Sequence, residues 1–346
     1  MKKEKHLFFI YSDFHYVICK SIILSNNLKK EDCFFVCGRG MTVEKEDTEV
    51  PFPMEDFTSF YKKIISFIKN YRLIHSFFSN YDIVAYIPFC LFFPVGLYVK
   101  DVVFFEEGFS SHSKCIPDLT NKGAREKLKS AIKRLISYFV KKDVRAFLFL
   151  YQSIDVVPAY NTRLYVCSDS SYEPCNYPEL QKIVLKIPQI DNEKYAIPFG
   201  SYFVVLDRLS NIYRCYSLDN YFQCINRIVN FCRFNGVDEI WTKLHPVDWK
   251  LNDAKIIAEK EFIRNGIRVK WYNGRLEMLA MQNKNITFLG THSTILYYAP
   301  ILGNTNRSVS FCKFLASIDK DYNNFINLFG GIDRFVDVFS KNVECE

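Results

Sequence analysis

The sequence predicts an α/β fold in two halves, each built on a parallel sheet, and three observations carry that expectation. Short β-branched or aromatic runs alternate with longer amphipathic stretches along the whole chain, which is the signal for βαβ units. At 346 residues the chain exceeds what one compact core usually holds, so two domains of roughly 150 residues each are expected. Residues 168–178 (SDSSYEPCNYP), rich in Ser, Pro and Asn, interrupt the alternation and look like a connection between domains. The predicted division is therefore 1–178 and 179–346, with a final helix able to pack back on the first half.

The elements follow in order. In the first half the runs predict strands at His6–Ser12, Cys33–Cys37, Ile83–Ile87, Val102–Glu106, Ala146–Leu150 and Leu164–Cys167. Helical patterns lie between them near Tyr16–Ser25, Phe57–Phe78 and Arg125–Val140. The second half predicts strands at Tyr202–Leu206, Glu239–Leu244, Arg268–Tyr272, Ile286–Leu289 and Ser308–Phe311. Helices at about Asn220–Phe234, Ala254–Asn265, Leu276–Gln282 and Thr294–Leu302 separate these strands, and a last one covers roughly Asp321–Phe339. Two such series describe two Rossmann-like domains. In open sheets of this kind the ligand lies beyond the C-terminal ends of the strands, so candidate residues should sit just after a strand.

Composition narrows the function classes. Apolar residues make up 49% and charged residues 24%, as in a globular protein rather than a disordered one. Aromatics reach 17%, with 33 Phe and 22 Tyr; alongside abundant Ile, Asn and Lys this reads as codon bias and carries little functional weight. The formal charge of +7 suits an anionic small molecule, an anionic glycan or an acidic membrane surface, and is too weak to argue for nucleic acid. None of the twelve cysteines forms a C-x-x-C pair, and Cys19, Cys224 and Cys232 sit within apolar runs where Cys acts as a small hydrophobe. A reduced, cytoplasmic setting is expected. The N-terminal apolar run Leu7–Tyr11 is too short for a signal peptide, and the uncharged run Ile83–Val99 is broken by Pro88, Pro94 and Gly96, so a strand followed by a turn explains it.

Three short motifs pass the strand-end filter. Glu106-Glu107-Gly108 follows an apolar strand: adjacent acids repel, which raises one pKa toward that of a general base, and Gly108 allows a sharp turn and close substrate approach. Lys243-Leu244-His245-Pro246 ends another strand. There His245 can act as an acid or bind phosphate as a cation, Lys243 adds positive charge, and Pro246 fixes the backbone. Gly290-Thr291-His292-Ser293-Thr294 lies at a strand-to-helix junction, where hydroxyls and free N–H groups make an anion site. Taken singly, a solvated turn, a capping His and a Ser/Thr helix cap account for the three. Together they form a layout for attack by an activated hydroxyl while a phosphate-linked leaving group is stabilised.

In this order the motifs resemble those of the bacterial sialyltransferases, whose marks are an acid-acid-Gly motif, a His-Pro motif and a later Ser/Thr pair: here Glu106-Glu107-Gly108, His245-Pro246 and Ser293-Thr294. The resemblance implies the GT-B fold, two facing Rossmann-like domains with a cleft between them. It implies inverting transfer of sialic acid from CMP-Neu5Ac to a sugar hydroxyl, with galactose the expected acceptor, on a bacterial surface glycan such as lipopolysaccharide, O-antigen or capsule. The same resemblance implies that no metal or other cofactor is needed. Carried over by residue, Glu106 is the base, and Glu107 tunes it or holds the acceptor. His245 protonates or neutralises the departing CMP phosphate, which Ser293 and Thr294 bind with Lys243, Pro246, Gly290 and Thr291 alongside. Glu277 is the candidate for gripping the ribose.

Further residues are weaker candidates. Ser12 and Asp13, with Tyr11 before them, end the first strand and would line the acceptor side with Gly108; Gly38-Arg39-Gly40 is a turn or a donor or acceptor loop. His112 and His292 lie near the motifs, whereas His6, His15 and His75 have no identifiable partner in the sequence. Asp319-Lys320-Asp321 has the metal-binding Asp-x-Asp pattern but falls where acids favour a helix N-terminus. Lys122–Arg145 carries nine basic and two acidic residues around an apolar face, which fits either a core-facing surface helix or peripheral attachment to an anionic inner membrane presenting a lipid-linked acceptor. Two other function classes stay open at this point: a transferase of another nucleotide sugar, such as CMP-Kdo, and a non-catalytic glycan-binding or assembly protein.

Overall fold

A computed structural model describes residues 2–38, 41–50, 72, 76, 78–89, 99–108, 162–169, 171, 180–188, 196–207, 209, 215–245, 254–282, 284–327 and 343–345. The chain divides into two compact units, Met1–Lys186 and Ile187–Glu346. Each is an α/β unit around one parallel sheet, so the Rossmann-like character expected of both halves is present.

Unit 1 holds seven strands: β1 (Lys3–Ile10), β2 (Cys33–Cys37), β3 (Thr48–Glu49), β4 (Tyr81–Pro88), β5 (Asp101–Phe105), β6 (Thr162–Val166) and β7 (Leu180–Val184). Their order in the sheet is β3-β2-β1-β4-β5-β6-β7, and every pairing is parallel. The chain starts in the middle, winds outward to β3, then returns to the other side of β1. The winding therefore reverses between β1 and β4. Residues Lys5–Ile10 are all buried, as expected of a central parallel strand covered on both faces. Lys5 tolerates that position because its ammonium reaches Asp32 Oδ1 at 2.6 Å and the Glu31 carbonyl at 3.0 Å. Helix α1 (Asp13–Ser25) leaves β1 directly, started by Ser12, whose hydroxyl accepts from the His15 backbone N–H at 3.2 Å.

Unit 2 has six strands: β8 (Tyr202–Val205), β9 (Glu239–Lys243), β10 (Arg268–Trp271), β11 (Thr287–Gly290), β12 (Arg307–Ser310) and β13 (Glu344–Cys345). Their order is β10-β9-β8-β11-β12-β13, again wholly parallel, so here the winding reverses between β8 and β11. The connections are α2 (Leu218–Phe234), α3 (Ala254–Arg264), α4 (Leu276–Ala280), α5 (Thr294–Leu302), α6 (Cys312–Ile318) and α7 (Lys320–Asn327). On α2 the buried residues Tyr221, Cys224, Ile225, Ile228, Val229 and Cys232 fall at spacings of three and four, which places them on one face. Cys19, Cys224 and Cys232 fill the core as small hydrophobes, and burial pushes the Cys232 thiol up to about 12.

Two features differ from the expectations. The division falls after Lys186 rather than after residue 178, because β7 pairs with β6 and so belongs to the first sheet. A helix that was not expected, α6, precedes the last one, which begins as α7 and whose residues 328–339 lie outside the described residues; Asp319 between them ends one and starts the other. The uncharged run from Ile83 begins as the strand expected there, β4, inside the sheet. No helix among the described residues is long and apolar enough to cross a membrane. The expected strand Ala146–Leu150, the helix Arg125–Val140, the basic segment Lys122–Arg145 and most of Phe57–Phe78 lie outside the described residues.

Candidate active site

The acidic motif of unit 1 lies immediately beyond β5. Glu106 is completely buried, and both carboxylate oxygens accept hydrogen bonds from the turn that follows β6: Oε2 from the Cys167 backbone N–H at 2.7 Å and Oε1 from the Ser171 hydroxyl at 2.7 Å. Its own N–H donates to the Tyr165 carbonyl at 2.9 Å. The side chain thus ties two neighbouring strand ends together. Glu107 is only half-buried, so of the two acids it is the one that reaches solvent. Gly108 adopts φ 136°, a region that L side chains rarely enter, so the turn after the acids requires glycine.

A residue without an evident partner in the sequence completes this cluster. His15, in the first turn of α1, is 3% exposed. Its Nε2 lies 2.9 Å from the Glu107 carbonyl, and its Nδ1 lies 3.2 Å from the Tyr11 backbone N–H. A carbonyl only accepts and an N–H only donates, so the ring carries its proton on Nε2. The imidazole also meets the Phe105 ring edge-on at 5.5 Å between centroids. The acidic loop is therefore latched to the segment that follows β1, beside the reversal of winding. Ser12 caps α1 there, with Asp13 as the first-turn acid.

In unit 2, His245 is half-buried, two residues past β9. Lys243, the last residue of β9, donates from Nζ to the Gly274 carbonyl at 2.6 Å and so holds the loop leading into α4. Glu277, in the first turn of α4, is half-buried. Pro246 lies outside the described residues, as do Arg39, Gly40, His75 and His112.

The third motif follows β11 directly. Gly290 ends that strand at a close approach: a Cβ there would lie 3.0 Å from the Val205 carbonyl oxygen and 3.1 Å from Leu296 Cδ1. Thr291 is buried, Ser293 is the N-cap of α5, and Thr294 is its first residue. Ser12 and Ser217, the N-caps of α1 and α2, both accept from the helix with their hydroxyls, whereas the Ser293 hydroxyl makes no such capping bond. That hydroxyl is half-buried at the helix start.

The Asp-x-Asp pattern is structural at its first acid. Asp319 Oδ1 accepts from the Tyr322 N–H at 2.9 Å, and Oδ2 accepts from the Ser217 N–H at 2.8 Å and the Asn220 amide at 3.0 Å. Among the described residues no group of three His, Cys, Asp or Glu side chains is placed to hold a metal.

No family model matches the chain, and no curated protein does. Solved structures do. A glycosyltransferase from Rickettsia africae aligns over 99% of this chain and 95% of its own at 9% identity, with a TM-score of 0.49. A Listeria monocytogenes protein assigned as a UDP-N-acetylglucosamine 2-epimerase aligns over 99% and 92% at 9% identity, with a TM-score of 0.46. Anabaena HepE, in complex with UDP and glucose, aligns over 99% and 96% at 10% identity, with a TM-score of 0.42. A transferase and a protein assigned as an epimerase both figure among them.

Proposed function

We propose that the chain is a metal-independent, inverting sialyltransferase that moves sialic acid from CMP-Neu5Ac to a hydroxyl, galactose being the expected acceptor, of a bacterial surface glycan. The observation that carries this reading is positional. All three motifs of the resemblance lie directly beyond the C-terminal ends of parallel strands, the acids after β5, His245 after β9 and Thr291–Thr294 after β11. The Ser293 hydroxyl, not engaged in capping α5, adds a group suited to phosphate.

In this reading unit 1 receives the acceptor and unit 2 the donor. The base removes the proton of the acceptor hydroxyl as its oxygen attacks the anomeric carbon, and the bond from that carbon to the CMP phosphate oxygen breaks with inversion. His245 gives a proton to the departing phosphate or neutralises it. Ser293, Thr294, Thr291 and the backbone at Gly290 bind that phosphate, Lys243 and Pro246 border it, and Glu277 holds the ribose. The resemblance puts Glu106 in the role of base. Its full burial, with both oxygens already accepting, leads us to give that role to Glu107 and an anchoring role to Glu106. Peripheral contact with an anionic membrane through Lys122–Arg145 belongs to the same reading, and flotation with anionic against neutral liposomes tests it.

The deciding experiment incubates the protein with CMP-Neu5Ac and a panel of galactosides, with mass analysis of the products. Glu107→Gln and His245→Ala are each expected to lower turnover roughly a hundredfold or more while the fold is retained. Binding of UMP or GMP but not CMP, with no sialylated product from any acceptor, would overturn the assignment.

A further inference from the structure

The register of the last two strands brings together two cysteines that no motif of the resemblance includes. β13 is the edge strand of the second sheet, two residues long, and it pairs with β12 so that Cys345 stands opposite Ser310. Register partners in a parallel pair present their side chains to the same face of the sheet. After Phe311 the chain turns into α6, and the Cys312 N–H donates back to the Ser310 hydroxyl oxygen at 3.2 Å. Cys312 is thereby folded over the face that carries Cys345. Ser310 is itself fixed, being completely buried with its hydroxyl donating to the Thr291 carbonyl.

Both cysteines are free thiols, and their sulfurs meet. The two thiols lie within hydrogen-bonding reach of each other, and Cys345 Sγ is 3.7 Å from the Val343 carbonyl. Cys312 is completely buried, whereas Cys345 is half-buried and so reaches solvent. Their surroundings set them apart from the other buried cysteines. Burial raises the thiols of Cys19, Cys33, Cys167, Cys224 and Cys232. At Cys312 the contact with the Cys345 thiol, together with the Lys313 N–H, outweighs burial and holds the thiol below its usual value. An accessible sulfur beside a buried, more easily ionised one is the pairing that thiol–disulfide exchange needs.

We propose that Cys312 and Cys345 form a reversible dithiol, which a low-molecular-weight disulfide such as oxidised glutathione closes into a disulfide stapling β13 to the start of α6. Cys345, the accessible partner, loses its proton to solvent and attacks one glutathione sulfur. The S–S bond of glutathione breaks, and one glutathione thiolate leaves. Cys312, losing its proton in turn, attacks the Cys345 sulfur and displaces the second glutathione. The two protein thiols are oxidised by two electrons and the small disulfide is reduced to two thiols, so no further oxidant is needed. In a reducing, thiol-rich setting the pair stays open. The bond closes the chain between residues 312 and 345, which stabilises by restricting the unfolded state. None of this depends on which donor unit 2 takes.

Incubation of the folded, full chain with oxidised glutathione, followed by non-reducing tryptic digestion and mass analysis, tests the proposal. Cleavage after Arg307, Lys313 and Lys341 leaves Cys312 and Cys345 in separate peptides, 308–313 and 342–346. A disulfide-linked species joining those two peptides is expected, and dithiothreitol should remove it. Cys312→Ser should stop at a mixed disulfide of Cys345 with glutathione, and Cys345→Ser should leave Cys312 as a thiol. Closing the bond should raise the melting temperature by several degrees, a rise absent from both variants. The peptide map uses the unsubstituted protein and stands even if a variant fails to fold. A parent chain that shows no link between the two peptides would overturn the pairing. So would one that keeps glutathione on Cys345, or one that scrambles among other cysteine partners as widely as it does in urea.

Discussion

Glu106 and Glu107 are chain neighbours with opposite surroundings, and substitution should separate them. Glu106→Ala removes the acceptor of both the Cys167 N–H and the Ser171 hydroxyl, which in a buried site costs about 1–3 kcal/mol. A clear fall in melting temperature is therefore expected for Glu106→Ala and none for Glu107→Gln. If Glu106→Ala instead keeps its melting temperature and loses turnover, Glu106 is the base and the exchange of roles is withdrawn. His15→Leu removes both the acceptor for Tyr11 and the donor to the Glu107 carbonyl, so turnover should fall with little change in CMP affinity. Equal losses in kcat and nucleotide binding would count against a role confined to the acidic loop. The contact that His15 makes with the acidic loop was not legible in the sequence. Its partner is 92 residues away, and a lone His in a helix has no pattern of its own until strand order brings the partner near. The three motifs were legible because each is contiguous and follows a recognisable apolar strand.

At the scale of elements, the central strands and capped helices announced themselves. Cys33–Cys37 and Thr294–Leu302 have the bounds that the sequence predicts, since an uninterrupted apolar run has few other uses. The strands that escaped notice were edge or short ones: β3 and β13 have two residues each, and β7 reads Leu-Gln-Lys-Ile-Val just after a Pro-rich stretch that resembles a linker. Such strands are specified by the neighbour they pair with rather than by their own hydrophobicity. Asp319 illustrates how a local pattern misleads. Burial opposes its charge, but the Ser217 and Tyr322 N–H groups and the Asn220 amide outweigh that and hold its carboxyl below the usual range. The folded chain thus takes up this proton less readily than the unfolded one. The resulting stabilisation is present above the ordinary carboxylate pKa of about 4 and is lost as pH falls through the lowered value. Asp319→Ala should cost about 1–2 kcal/mol in urea unfolding at neutral pH, with the difference from the parent shrinking in acid. A constant difference across pH would refute the charge-based part of this account.

At the scale of the molecule, each unit has a core of its own. In unit 2, Phe203, Ile240, Phe262, Leu279, Phe288, Leu296 and Tyr297 are all buried within 2% of complete. Its helices pack on one another and on its own strands, α5 on β11 and β12, α3 on β10, and α2 on α3 and α6. Residues 187–346 expressed alone are therefore expected to give a cooperative thermal transition by circular dichroism. A broad, featureless melt would show that this half depends on the other for its order.

The two reversals of winding have a consequence for how specificity is inherited. Each sheet reverses its winding within its own strand order, which is where a parallel sheet of this kind takes its ligand. Preference for nucleotide and preference for acceptor should consequently be separable traits. A chimera joined just after Lys186, carrying the second half of a transferase with a different donor, should take the new donor and keep the old acceptor.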